Sequence, residues 1–265
     1  MSRSDIERND VEDEGMPLTE HLGELRRRLI WILAVFAVGM VAGMAVAGPV
    51  INGLKQHGPA VDIAWNVFSP WDPVRVYMQL SLVVALFATL PVALYHIWSF
   101  VRPGLRPIEQ RAALKFIPMA VLLFALGVVF AYMVVFPMVF YFATLLSTRM
   151  GLTETYGITQ YFTFMFNIVI PIALFFELPI VVMFLTAIRL LNPSRLHKMR
   201  RYAYFILLVI SAVITPPDII SAIVVMIPLV ILYEISIVVS RLVYRRQIER
   251  DRAFEAEYGG GESPA

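Results

Sequence analysis

Apolar positions gather into six long runs separated by charge-bearing segments: Leu29 to Gly48, Val76 to Ser99, Phe116 to Pro137, Thr163 to Ile188, Tyr202 to Thr215 and Ile219 to Ser240. Within them the only acids are Glu177 in the fourth run and Glu234 in the sixth. Most of the runs have the length that a bilayer-spanning helix needs, which predicts an all-α integral membrane protein with six transmembrane helices. The fifth run makes a helix of only about 21 Å at 1.5 Å per residue. Against a hydrocarbon core of about 30 Å it either borrows Pro216 and flanking aromatics, sits in a thinned bilayer, or has ends that the pattern misplaces. Ahead of the first run, Leu18, Leu22, Leu25 and Leu29 recur at steps of four, three and four, so the first helix begins early as an amphipathic segment. No small-residue cleavage pattern follows a short core there, and the run reads as a retained span. Residues 1–15 and 247–265 lack periodicity and are expected as disordered tails around a transmembrane domain spanning 16–246.

Composition agrees with lipid as the main solvent: 59% of the 265 residues are hydrophobic and 16% charged, with a mean hydropathy of +0.73. Net charge is only +2, but its distribution is informative. With both termini in the cytoplasm, every one of the 22 basic residues except Lys55, Arg75 and Arg149 falls inside, as the positive-inside rule demands. Trp31 and Trp98 then sit near the inner interface, and Trp65 and Trp71 near the outer one. Cysteine is absent, which excludes disulfides and thiolate chemistry. His21, His57, His96 and His197 are scattered, so no metal or other cofactor is expected. Phosphate-binding loop, zinc-protease helix and serine-hydrolase elbow are all missing, which argues against an enzyme, and no nucleic acid partner is expected.

Three acids carry the candidate chemistry. Glu24 precedes Arg27 and Arg28 by one helical turn, and from spacing alone the better reading is an intrahelical ion pair. Glu109 lies in the inner loop Arg102-Pro103-Gly104-Leu105-Arg106-Pro107-Ile108-Glu109, close to a helix start that favours an acid. Glu177 differs from both, because a carboxylate at the centre of a bilayer costs about 2.5–3.5 kcal/mol even on lenient scales. Pro171 and Pro179 would free the carbonyls of Asn167 and Phe175, to which a protonated Glu177 could donate. A role for Glu177 therefore outweighs an incidental presence. Glu234 is the weaker case, with Arg241 two turns on.

Several short motifs, in this order on a six-span chain, resemble the TatC family of twin-arginine protein translocases. They are His21-Leu22-Gly23-Glu24-Leu25-Arg26-Arg27-Arg28-Leu29, Ser69-Pro70, Phe100-Val101-Arg102-Pro103-Gly104-Leu105 with Glu109, Phe136-Pro137, Phe176-Glu177-Leu178-Pro179, Leu191-Asn192-Pro193 and Thr215-Pro216-Pro217-Asp218. The resemblance covers Met16 to Arg246. It implies a receptor in the cytoplasmic (inner) membrane that captures twin-arginine signal peptides and, with TatA/TatB-type single-span subunits, exports folded proteins on the proton motive force. It also implies a homo-oligomer within the complex, in contact with membrane lipid. Glu24 and Glu109 would hold the two guanidiniums, with Phe100, Arg27 and Leu105 beside them. Glu177 and Pro179 would meet a partner subunit. Ser69, Pro70, Pro103, Gly104, Pro216, Pro217 and Asp218 would shape loops, and short fifth and sixth helices would mark a thin region. The chain departs from the family at Trp71-Asp72-Pro73-Val74 and at Arg102. The competing reading is a permease with Glu177 as a proton or cation site, although the two halves show no inverted repeat. A purely structural scaffold would leave Glu24 and Glu109 without a task.

Overall fold

The computed structural model describes residues 18–61, 63–102, 114, 116–215 and 219–258. Among these the structure is helical, with one isolated bridge between Asn66 and Gly157 and no strand. Helix α1 spans Leu18–Lys55 and α2 spans Asp72–Val101. The third span comprises α3 (Phe116–Phe130), a π turn (Ala131–Val135) and α4 (Phe136–Arg149). The fourth comprises α5 (Ile158–Phe175) and α6 (Leu178–Ala187). A short α7 (Pro193–Lys198) leads to α8 (Arg200–Ile214) and α9 (Ile219–Tyr258). The start of α1 and the end of α9 lie at one end of the bundle.

Five of these spans are long and apolar enough to cross a membrane. The fifth run of the chain is the exception: α8 has 15 residues, about 22 Å of helix. The expectation of a short sixth helix does not hold, since α9 has 40 residues. The same helix runs on through Gln247, where a tail without periodicity was expected, as far as Tyr258. Helix-forming residues continue past Arg246, Arg245 pairs with Glu249 one turn on at 3.0 Å, and α6 holds the extension from the side. Gln247 Nε2 donates to the Ala187 carbonyl at 2.7 Å, and Arg189 pairs with Asp251 at 2.8 Å. Residues 1–17 and 259–265 lie outside the described residues.

Prolines bend the spans without ending them all. Pro49, Pro91, Pro171 and Pro228 lie inside continuous helices, which lipid-embedded bundles tolerate because neighbours re-satisfy the backbone. Ahead of Pro137 the chain takes an extra residue into one turn, and the Phe136 N–H reaches the Ala131 carbonyl. That relieves the clash a proline ring makes with the carbonyl four residues earlier.

Helix α1 packs almost entirely on α2, through a stripe of small residues that the run-by-run reading did not use. A Cβ on Gly43 would meet Ser81 Cα at 2.6 Å, and one on Gly39 would meet Ala85 Cα at 2.9 Å. Lipid is as apolar as leucine, so helices associate through close van der Waals approach, and glycines at four-residue spacing permit it. The rest of α1 faces outward: Val38 and Val41 are 69% and 70% exposed. The central core lies between α2, the third span and α5, with Phe124, Phe136, Phe162 and Ile172 fully buried. Gly127 repeats the device at α5, its missing Cβ lying 2.8 Å from Phe176 Cβ and 2.9 Å from Ala173 Cα.

Gly43→Ala is expected to force α1 off α2 and lower the thermal midpoint of the detergent-solubilised protein, overpacking costing about 1–3 kcal/mol. Gly53→Ala on the same helix, where a Cβ meets nothing within 4 Å, should leave the midpoint unchanged.

Candidate functional site

At the end of the bundle that holds the start of α1, the first helical turns meet the last turn of α2. Glu24 Oε1 accepts from Arg28 Nε at 3.2 Å and from Arg28 Nη2. The ion pair that spacing favoured is therefore formed. Its cation is also anchored, because Arg28 Nη1 donates to the His96 carbonyl at 2.8 Å. Phe100 follows His96 by one turn of α2. Arg102, the charge that departs from the family pattern, stacks over Trp98 with its guanidinium carbon 5.4 Å from the ring centre. Glu24 keeps a third of its side chain exposed, and its Oε2 takes no hydrogen bond among the described residues. Arg27 is exposed. Glu109, Leu105, Pro103, Gly104, Pro216, Pro217 and Asp218 lie outside the described residues.

Glu177 stands at the break in the fourth span. Pro179 has no N–H to return to the Phe175 carbonyl, so α5 stops and α6 starts afresh from Glu177. The Glu177 N–H donates to the Leu174 carbonyl at 3.1 Å, and its own carbonyl accepts from Ile180 at 3.0 Å and Val181 at 2.9 Å. Pro171 causes no such break. The residue is 7% exposed, and both carboxyl oxygens are buried with no hydrogen-bond partner among the described residues. The freed carbonyls of Asn167 and Phe175 are therefore not its acceptors, which differs from the expectation. Phe176, on the opposite side of the break, packs against Phe130 with ring centres 5.4 Å apart. Pro179 is buried beside it.

Sequence reasoning missed the partners of two other acids. Glu234 takes Arg200 and the Tyr204 hydroxyl, both from α8, while Arg241 turns instead to His197 Nδ1 at 3.3 Å. Nothing local could have shown this, since 30 or more positions separate the partners in the chain. Asp72, the other departure from the family pattern, could have been read from spacing. It folds back over Ser69-Pro70-Trp71, and its Oδ2 accepts from the Phe68 and Ser69 N–H groups at 2.9 Å each. Thr159 Oγ1 then donates to the Asp72 carbonyl at 3.2 Å and ties this loop to α5.

Comparison with known proteins gives one answer over most of the chain. The family description "Sec-independent protein translocase protein (TatC)" matches residues 20–228. The Sec-independent protein translocase protein TatC of Halalkalibacterium halodurans is 42% identical over 94% of this chain and 98% of its own length. TatCy of Bacillus subtilis is 40% identical over 93% of this chain and 97% of its own. A crystal structure described as the twin arginine translocase receptor TatC superposes with a TM-score of 0.72 at 33% identity, covering 84% of this chain and 99% of that one.

Because both oxygens of Glu177 are buried and unpartnered, Glu177→Leu should melt several degrees above wild type in detergent, with Glu177→Gln between them. Removing an unsatisfied buried group recovers about 1–3 kcal/mol, at about 2–4 °C per kcal/mol. A midpoint below wild type for both variants would mean that the carboxyl has a partner inside the chain.

Proposed function

The chain belongs to the TatC family of Sec-independent protein translocase proteins, and from that premise we propose that it is a receptor for twin-arginine signal peptides, exporting folded proteins together with small single-span subunits. The observation that carries this reading is the match to TatC proteins over nearly the whole chain, combined with an exposed Glu24 oxygen at the basic end of the bundle. Arg28 engages only Oε1 and is tethered to α2 by the His96 carbonyl. A carboxylate has acceptor capacity for a second guanidinium, so an incoming arginine can add to this pair without displacing Arg28. Glu109 takes the second arginine, with Phe100, Arg27 and Leu105 forming the surroundings. Arginine's rigid fork suits such pairing better than lysine's point charge.

Orientation follows from charge: the end that carries Arg26, Arg27, Arg28, Arg102 and the arginines of α9 faces the cytoplasm, with both termini. Six helices then cross the membrane, α8 being the short one. Glu177 and Pro179 are the contact for a single-span partner, whose polar group supplies what the buried carboxyl lacks. The single chain is too small to enclose a pore for a folded protein, so the path is assembled from several subunits, copies of this chain among them. With no nucleotide-binding motif, the proton gradient drives transport.

The test is a titration of a twin-arginine peptide and its twin-lysine counterpart against the purified wild type, Glu24→Gln and Glu109→Gln at fixed salt, with the folded state monitored in parallel. Charge-assisted hydrogen bonds of about 1.5–3 kcal/mol each predict affinities weaker by one to two powers of ten in either variant. Wild-type affinity with an intact arginine preference in both would sink the assignment. A second expectation concerns α8: four leucines inserted into it should impair export of a folded reporter while membrane insertion persists, because the bilayer beside α8 is thinned to match about 22 Å of helix. Unchanged export would rule that out.

A further inference from the structure

An open groove of about 700 Å³ runs between α7 and α9 at the basic end of the bundle. Its walls come from Ser194, His197 and Lys198 on one side and from Arg241, Arg245 and Arg252 on the other, with Tyr244 and Ile248 among the apolar lining. Four of the lining residues are fixed cations, Lys198, Arg241, Arg245 and Arg252, and Glu249 is the one carboxylate. Glu249 is already held by Arg245 at 3.0 Å. Arg241 donates to His197 Nδ1 at 3.3 Å. An excess of positive charge this concentrated calls for an anion with several acceptor oxygens.

An apolar strip on α9 leads away from the groove. From Arg245, steps of three, four and three residues lead back along one face of α9 through Leu242, Val238 and Ile235, which are 57%, 53% and 45% exposed. A cationic cradle at the end of a transmembrane helix, opening onto an uncovered aliphatic face, matches a molecule that is anionic at one end and hydrocarbon at the other. We propose that this groove binds an anionic glycerophospholipid, with its phosphodiester between α7 and the arginines of α9 and its acyl chains along Leu242, Val238 and Ile235. A soluble phosphate would use the cations but not the strip. The acidic segment Asp10 to Glu14 of this chain would also use only the cations. Bound lipid would bridge α7 to α9, beside the contacts that Gln247 and Arg189 make with that end of α9.

The experiment is native mass spectrometry of the full chain in detergent, titrated with dioleoyl phosphatidylglycerol, with dioleoyl phosphatidylcholine, and with phosphatidylglycerol in competition with glycerol 3-phosphate or a peptide of residues 1–16. Wild type should bind phosphatidylglycerol at least tenfold more tightly than phosphatidylcholine. Each basic residue near an anionic headgroup is worth about a fivefold change in affinity. The double variant Arg241→Gln/Arg252→Gln should therefore bind phosphatidylglycerol about 25-fold more weakly, with phosphatidylcholine unaffected. Ser194→Glu places an acid in the groove at the start of α7, where a helix favours it, and should weaken binding without loss of fold. Arg201→Gln, at the same end but outside the groove, should change nothing. Wild-type affinity in both the double variant and Ser194→Glu would overturn the proposal. So would displacement by glycerol 3-phosphate or by the peptide at concentrations equal to the lipid.

Discussion

Everything at the basic end of α1 depends on how closely that helix can approach α2. In water an amphipathic helix is held by the apolar area it buries, but lipid removes that driving force, and contact distance decides instead. Gly39 and Gly43 let the backbone of α1 come against Ser81 and Ala85. Among the described residues no other span packs extensively on α1, and that seam is joined by the bond from Arg28 to the His96 carbonyl. Glu24 is carried on this helix. Close apolar packing at one level of the bundle therefore positions a polar group several turns away.

The remaining helices are joined by a small number of polar contacts, each valuable because no water competes for it. Thr186 and Ser240 share a hydrogen bond of 2.7 Å between α6 and α9, both fully buried. Gln79 Nε2 donates to Thr163 Oγ1 at 2.8 Å between α2 and α5. Arg200, Tyr204 and Glu234 fasten the short α8 to α9, which matters because α8 has little length with which to hold itself in a bilayer. Glu177 stands apart from this pattern. Its backbone is used in full to restart a helix, while its side chain lies buried and unanswered. A group in that state destabilises the isolated chain.

Breaks and bends in the third and fourth spans serve the same end. The π turn before Pro137 and the interruption before Pro179 both lie where the chain gives up regular hydrogen bonding inside the membrane. Gly127 lets the third span close over the second of these breaks, with Phe130 and Phe176 packed together. Glu177 therefore sits beside tight packing, although its oxygens have no partner among the described residues.

Much was legible from the order of residues alone. Lipid imposes length and hydropathy on each span, so every apolar run coincides with helix, the short fifth included, although the runs miss α7. Glu177 declared itself because an acid inside such a run is costly wherever it points, and the Glu24–Arg28 pair followed from helical spacing. The Gly39-x-x-x-Gly43 stripe and the Asp72 turn were equally local and readable. Other features required the fold. Whether a proline bends or breaks a helix depends on what neighbours offer the freed carbonyl, and so Pro171 and Pro179 behave differently. The partner of Glu234 lies on another helix, and α9 continues past Arg246 where Ala187 at the end of α6 and Arg189 just after it meet it. Spans are dictated by the solvent and can be read one at a time. Polar pairing inside a bundle is dictated by which helix stands beside which, and that is decided only when the helices have packed.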